Sequence, residues 1–480
     1  MGDRIRRALS ATGDGTAKGQ MEIFFAGAAR EVTGSSHVLH VGEQTVVLDC
    51  GMFQGRRREA FEKNRRLLVD VKDIDAVVAS HAHIDHVGRL PVLTRAGYDK
   101  KIWATPATRD LSAVMLADSA MIQVKDAEHL TKRNKAAVEP LYVVADAARV
   151  AALMTTVSYH RAFDVTPGIS ATFIDAGHIL GSASVVLECR DGNTEKRIVF
   201  SADIGRKGLP IIRDPEIPTD ADVLIMESTY GDRDHESVAG AQAELARIVR
   251  ESAAKGGKVF IPAFAVGRIQ EILYDLHVLV RESAIPAIPI YIDSPLATDV
   301  TSIFQMHPDC FDNSEVLVQA VQELFRFNLV QFTRDVSESK ALNTMRGPMI
   351  VIAASGMVES GRILHHVAHG ASDPRNTILI VGYQAEHTLG RRIVERQPVI
   401  RVFGDDVSLR ATVEVLNGYS AHADRSELLE WFRGVKRTSP RLTKVFLVHG
   451  EPRAQVPFAE TLKREGVQVE MPALGERFVV

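Results

Sequence analysis

The chain is poor in cysteine. Its 480 residues hold three, Cys50, Cys189 and Cys310, far apart in sequence. So odd and sparse a set excludes a disulfide framework and a cysteine-based zinc signature, and it suits a reducing cytoplasm. No apolar run is long enough to span a bilayer, so no membrane partner is expected. Residues 1–20, MGDRIRRALSATGDGTAKGQ, lack an apolar secretory core and read as a flexible N-terminal tail. An excess of basic residues is missing too: 57 Lys and Arg stand against 61 Asp and Glu, for a net charge of −4. That argues against a general nucleic-acid coating but leaves room for a local basic groove. Arginine is gathered in GRRREAFEKNRR (Gly55–Arg66) and LGRRIVERQPVIR (Leu389–Arg401), each readable as a solvated face or as a phosphate-facing run.

What is present is an ordinary globular composition, with length enough for two or three domains. Apolar, β-branched strands alternate with helical segments, which argues an α/β architecture. MEIFFAGA and SHVLHVGEQTVVLDCG read as a β-rich start, and ISATFIDAGH, KRIVFSADIG and ADVLIMESTYG as three more strands. From about Asp232 the pattern becomes regular βα alternation. A helix over 237–254 precedes the strand GKVFIPAF, and a helix over 267–282 precedes IPIYIDS; PMIVIAAS and NTILIVGY follow, the mark of a parallel-sheet unit.

The stretch SHAHIDHVGRLP carries His81, His83, Asp85 and His86 within six residues. It lies between a buried strand, IDAVVAS, and a helical pattern that Gly97 stops, so it forms a strand-to-helix connection. His81 and His83 are two apart and point the same way in extended backbone. Asp85 and His86 follow at the turn and can address a second point nearby. Imidazole and carboxylate suit zinc, so one turn can serve two adjacent ions. Polar residues also stand downstream of apolar runs elsewhere: Asp49 after TVVL, His178 after ATFIDAG, Asp203 after IVFSA, Glu227 after VLIM and His449 after VFLV. If those strands are neighbours, one sheet edge is lined with ligands. His37 and His40, which alternate on an expected strand, read as structural, and Cys50 as a small buried hydrophobe.

With GAAREVTGSSH, LDCGMFQG, SHAHIDHVGRLP, GHILGSAS, SADIG, ESTYGDR, IPAFAVGRIQEIL, ASGMVESGRILHH, GYQAEHTLGRRI, YSAHAD and LVHGE in that order, the chain resembles the metallo-β-lactamase superfamily. Within it, the chain resembles the β-CASP ribonucleases, in a compact prokaryotic form related to the cleavage and polyadenylation endonuclease. The resemblance implies an αββα sandwich with an inserted α/β β-CASP domain. Its expected bounds are 21–229 and 415–480 for the metallo-β-lactamase parts and 230–414 for the insert. By position, it implies a first metal on His81, His83, His178 and Asp203, and a second on Asp85, His86, Asp203 and His449, with Asp203 bridging. Asp49 would support the ligands from behind. Glu227, His422 and His449 match the three β-CASP motifs, and histidine at 449 favours RNA over DNA. Arg268, Ser355, Arg362 and His366, with His365 beside them, resemble phosphate contacts.

The implied activity is a cytoplasmic, two-zinc ribonuclease acting on single-stranded RNA as an endonuclease, with 5′-phosphate and 3′-hydroxyl products. His422 would give a proton to the leaving oxygen and Glu227 would orient it, with Asp85 counted beside them among the catalytic groups. A homodimer is compatible with the resemblance. Three alternatives stand beside it: a DNA nuclease, a small-molecule hydrolase of the same fold, and a catalytically silent RNA-binding subunit.

Overall fold

A computed structural model describes residues 20–55, 57–134, 137–312 and 327–480. The expected tail, apart from Gln20, and Arg56 of the first basic run lie outside the described residues. The chain divides into two compact units. One runs up to Lys207 and takes in Asp214–Asp234 and His422–Val480; the other holds Gly208–Arg213 and His235–Ala421.

The first unit is built on two seven-stranded sheets. In one, Arg477–Val479, Met21–Phe25, His37–Val41 and Gln44–Leu48 lie next to each other in that order, followed by Ala76–Val78, Ile102–Ala104 and Met154–Thr156. In the other the order is Gln468–Glu470, Lys444–Val448, Val223–Glu227, Thr194–Phe200, Ala183–Asp191, Ile169–Asp175 and Phe163–Thr166. Their inner faces meet in one core, where Phe25, Leu39 and Leu48 pack with Phe173, Val185, Phe200 and Phe446. Each outer face is covered by helices. Leu428, Trp431 and Phe432 of Arg425–Thr438, with Phe458 and Leu462 of Pro452–Arg464, cover Val199, Leu224 and Leu447. Leu90, Leu93, Leu116 and Val150 cover Val38, Val77 and Ile102. The alternating inward and outward residues of these strands are both apolar, as burial on two faces requires. This is an αββα sandwich.

Register places the site. Gln44–Leu48 and Ala76–Val78 are parallel neighbours. So are Thr194–Phe200, Val223–Glu227 and Lys444–Val448. Residues at the downstream ends of parallel neighbours emerge on the same side: Asp49 and His81 follow strands of the first sheet, and Asp203, Glu227 (the last residue of its strand) and His449 stand at the ends of strands of the second.

The second unit holds a six-stranded sheet in the order Val330–Phe332, Ile290–Ile292, Met349–Ala353, Lys258–Pro262, Thr377–Ile380 and Thr412–Val415, all pairs parallel. Helices Val238–Ala254 and Arg268–Arg281 match the expected ones within a residue at each end, because Ser237 caps the first by accepting the Gly240 N–H and Gly267 starts the second. Among the elements that gave no clear signal, two stand out. The helix Pro106–Asn134 carries its buried contacts on small or scattered side chains such as Leu111, Leu116 and Ala120. The ribbon Val399–Val402 with Asp405–Ser408 is short and mostly exposed.

Candidate metal centre

The strand Ala76–Val78 leads through Ala79–His83, where His83 is extended, into one short helix, Ile84–Val87. That short helix, unforeseen in the sequence, lets Asp85 and His86 address a second point beside the first, with the His81 and His86 ring centres 3.9 Å apart. The turn fits only because Gly51 lies against it: a Cβ at Gly51 would sit 1.5 Å from the Asp85 carbonyl oxygen.

Two donor groups result. His81 Nε2 lies 3.2 Å from His83 Nδ1, and His178 Nε2 lies 3.1 Å from the same atom. Asp203 Oδ2 is 3.4 Å from His81 Nε2 and 3.5 Å from His178 Nε2. A tetrahedral ion with bonds of about 2.0–2.1 Å needs ligand atoms about 3.3 Å apart, and these four edges fit it. In the second group, His86 Nε2 is 3.2 Å from His449 Nε2 and 3.2 Å from Asp203 Oδ2, while Asp85 Oδ2 is 3.5 Å from His449 Nε2. One oxygen of Asp203 thus faces both groups. A proton network is a poor alternative, since a single ring proton cannot serve His81, His83 and His178 together.

The outer bonds fix which ring nitrogen faces inward. Ser80 Oγ donates to Asp49 Oδ2 at 2.9 Å, so it accepts from His81 Nδ1 at 3.0 Å and leaves Nε2 as the inward lone pair. Asp49 Oδ2 accepts from His86 Nδ1 at 2.7 Å. Thr229 Oγ1 donates to the His449 carbonyl and therefore accepts from His449 Nδ1, both at 3.0 Å. Such outer partners are what set a ligating histidine's tautomer. Ser35 also reaches Asp49, and Ser182 Oγ accepts the His178 N–H. Ser35, Ser80, Ser182 and Thr229 carry no spacing signal; only Ser80, next to His81, could have been suspected from position.

Electrostatics agree with a cation here. Burial and the neighbouring His86 hold His81 down to about 3, and burial holds His83 down to about 4, so both are neutral donors. Burial likewise drives His178 well below the ordinary imidazole value. His86 is the exception: burial opposes its charge, yet Asp203 and Asp49 raise it well above the usual value, so the cluster's field favours a positive charge at that point. Burial works against Asp85 and Asp203 as carboxylates, and the surrounding histidines still keep both below the usual range. Neutral imidazoles, ionised carboxylates and ligand spacing together make a metal-binding donor set.

His422 lies beside it. Its Nδ1 is 3.1 Å from Glu227 Oε1 and 3.9 Å from Asp203 Oδ2. Glu227 is fully buried; Oε1 also accepts the Ile204 N–H at 2.6 Å and Oε2 the Thr229 N–H at 3.3 Å, which fixes the carboxylate. Burial would lower the His422 pKa, but Glu227 and Asp203 push it up to about 9.

The four expected phosphate contacts sit in the second unit. Arg268 is buried and paired with Glu271. Ser355 Oγ accepts the Glu359 N–H at 3.3 Å. Arg362 and His366 converge on Asp293, at 2.6 and 2.7 Å, and His366 is wholly enclosed. His365 is exposed, its ring 4.6 Å from that of Phe403.

An αββα sandwich with two facing His/Asp groups at one edge defines a metallo-hydrolase. Three family models match along the chain: the metallo-beta-lactamase superfamily over residues 29–251, the Beta-Casp domain over 269–393, and the Zn-dependent metallo-hydrolase RNA specificity domain over 406–472. The chain belongs to the metallo-β-lactamase superfamily and, within it, to the β-CASP ribonuclease family. Ribonuclease TTHA0252 of Thermus thermophilus is 40% identical over 458 residues, covering 95% of this chain and 99% of that protein. Transcription termination factor FttA of Thermococcus kodakarensis is 32% identical over 472 residues, 93% of this chain and 69% of that protein. A crystal structure of a protein of unknown function from Enterococcus faecalis V583 matches with a TM-score of 0.52 over 96% of this chain and all of that one, at 11% identity, a likeness of fold alone.

Proposed function

We infer that this chain is a ribonuclease that hydrolyses phosphodiester bonds within single-stranded RNA, holds two zinc ions and leaves 5′-phosphate and 3′-hydroxyl ends. The observation that carries the reading is the pair of donor groups sharing Asp203, with a carboxylate-braced histidine beside them. The RNA specificity family match over residues 406–472 and the ribonuclease name of a 40% identical relative support RNA as the substrate. His81, His83, His178 and Asp203 would hold one ion, and Asp85, His86, His449 and Asp203 the other. When bound, two such ions supply an acidified water and neutralise charge growing on the phosphate.

The chain's own residues do the rest. Asp49, Ser80 and Thr229 keep three imidazoles turned with Nε2 inward. Glu227 accepts a hydrogen bond from the Nδ1–H of His422 and favours the imidazolium, so the proton at Nε2 is the one available. As the P–O3′ bond breaks, that proton passes to the leaving 3′-oxygen, which would otherwise depart as a poor alkoxide. His422 is partly open to solvent, with 15% of its side chain exposed, so Nε2 can be reached.

One RNA labelled at either end tests the reading. Internal fragments that vanish on chelation and return with zinc support it; release of mononucleotides from the first time point would make the enzyme an exonuclease. DNA of the same sequence cut equally well would remove the RNA assignment. Elemental analysis should find about two zinc ions per chain.

A further inference from the structure

The segment carrying His422 is bonded to the loop that follows Asp203. His422 pairs with Gly205 in an isolated antiparallel bridge, and the Ala423 N–H donates to the Ile204 carbonyl at 2.8 Å. Gly205 is pressed against the His178 turn, where a Cβ would meet the Gly177 carbonyl oxygen at 1.6 Å. Further out, both segments end on one carboxylate. Glu427 lies in the first turn of Arg425–Thr438, and its Oε2 accepts the Asp424 N–H at 2.9 Å while Asp424 accepts the Glu427 N–H at 2.9 Å. The same Oε2 takes Arg206 Nε at 3.3 Å, and Oε1 takes the Lys207 N–H at 3.4 Å. Arg206 is 4% exposed, an unusual place for arginine.

A buried ion pair is a weak source of stability, because desolvation offsets its attraction. What it does supply is direction. Glu427 can satisfy its helix cap and Arg206 together only if Ile204–Lys207 and His422–Glu427 keep one register. We propose that Arg206 and Glu427 are positioning residues for His422: they clamp these two segments so that the imidazole stays aimed at the leaving oxygen. The proposal rests on the reading of His422 as proton donor. A displacement of about 1 Å at a reacting group is enough to cost on the order of 100-fold in rate.

The leaving group provides the test. Full-length, zinc-loaded protein would be assayed on an RNA oligonucleotide, whose 3′-alkoxide needs a proton, and on bis(p-nitrophenyl) phosphate, whose phenolate does not. Glu427→Gln and Arg206→Met should each lose about 10- to 100-fold in kcat on RNA with KM within about twofold. On the ester they should lose less than about threefold. Zinc content and melting temperature should stay at the wild-type level, and Arg206→Lys should recover part of the loss on RNA. Equal losses on both substrates, lost zinc, or no loss on RNA would each overturn the clamp. His422→Ala is the reference: if it too loses equally on both substrates, the proton-donor reading itself falls, whatever the clamp variants do.

Discussion

Two polar clusters of the same residue types sit in this molecule, one in each unit, and they are built to opposite rules. Around Asp203, the inward atoms are nearly all acceptors: lone pairs of His81, His83, His178, His86 and His449 at 3.1–3.2 Å from one another, with carboxylate oxygens among them. Around Asp293, every acceptor has donors. Oδ1 receives Thr333 and Arg362, and Oδ2 receives Ser339 at 2.6 Å and His366 at 2.7 Å. His366 continues to Asn343 at 2.8 Å. The first cluster is incomplete without a cation, and the second is closed. Histidine meeting an aspartate at a strand end therefore does not by itself mark a ligand site; the balance of donors and acceptors does.

The largest expected effect breaks the first cluster at its shared atom. Asp203→Ala should lose metal from both groups and lower kcat/KM by on the order of 10⁴-fold or more, checked by elemental analysis beside single-turnover cleavage. His422→Ala should cost about 10²- to 10⁴-fold in kcat while zinc stays bound. Metal loss there would make His422 a ligand and blur the line between the ligand groups and the group beside them. Asp49→Asn leaves every inward atom in place but frees the His86 ring, and metal affinity measured against a competing chelator should fall about 10- to 100-fold.

The second cluster should answer differently. Asp293→Asn should destabilise its unit by about 3 kcal/mol, since it leaves Arg362 and His366 without their acceptor, and should leave zinc content unchanged. Burial opposes the Asp293 charge, but its four side-chain donors hold it below the usual carboxylate range. A depressed carboxylate stabilises the fold above its unfolded pKa, near 3.9, and that contribution is lost as pH falls through the folded value. Acid unfolding below about pH 4 should thus be steeper in the wild type than in Asp293→Asn. The smallest effect is a shift of profile. His422 must be protonated to act, so activity falls as pH rises through its pKa. Glu227→Gln removes the carboxylate that raises that pKa, so the alkaline limb should move down by about one to two units.

The expected site residues were legible because their signal is local or periodic. Of these, His81, His83, Asp85 and His86 fall on one turn, and Asp49, Asp203, Glu227 and His449 each stand at or just past the end of an apolar run. Hydrophobic periodicity also marked the parallel sheet of the second unit and its two first helices. The groups bonded behind these residues were not legible. Ser35, Thr229 and Ser182, which bond Asp49, His449 and the His178 backbone, are common residues at unremarkable positions, and the Arg206–Glu427 contact beside His422 spans 221 positions of chain. Asp293 stands in sequence at the end of the expected strand IPIYIDS, and nothing local says that Arg362 and His366 will close on it.

The sequence by itself determined which side chains of metal-ligating type stand near one another in the chain and which strands deliver them, because residue type and strand period are written within a few residues. Only the tertiary structure decided which ring nitrogen faces inward, which carboxylate is shared, and which histidine cluster is open to a cation. Those depend on the pairing of donors with acceptors far apart in the chain, which only packing brings within 3 Å.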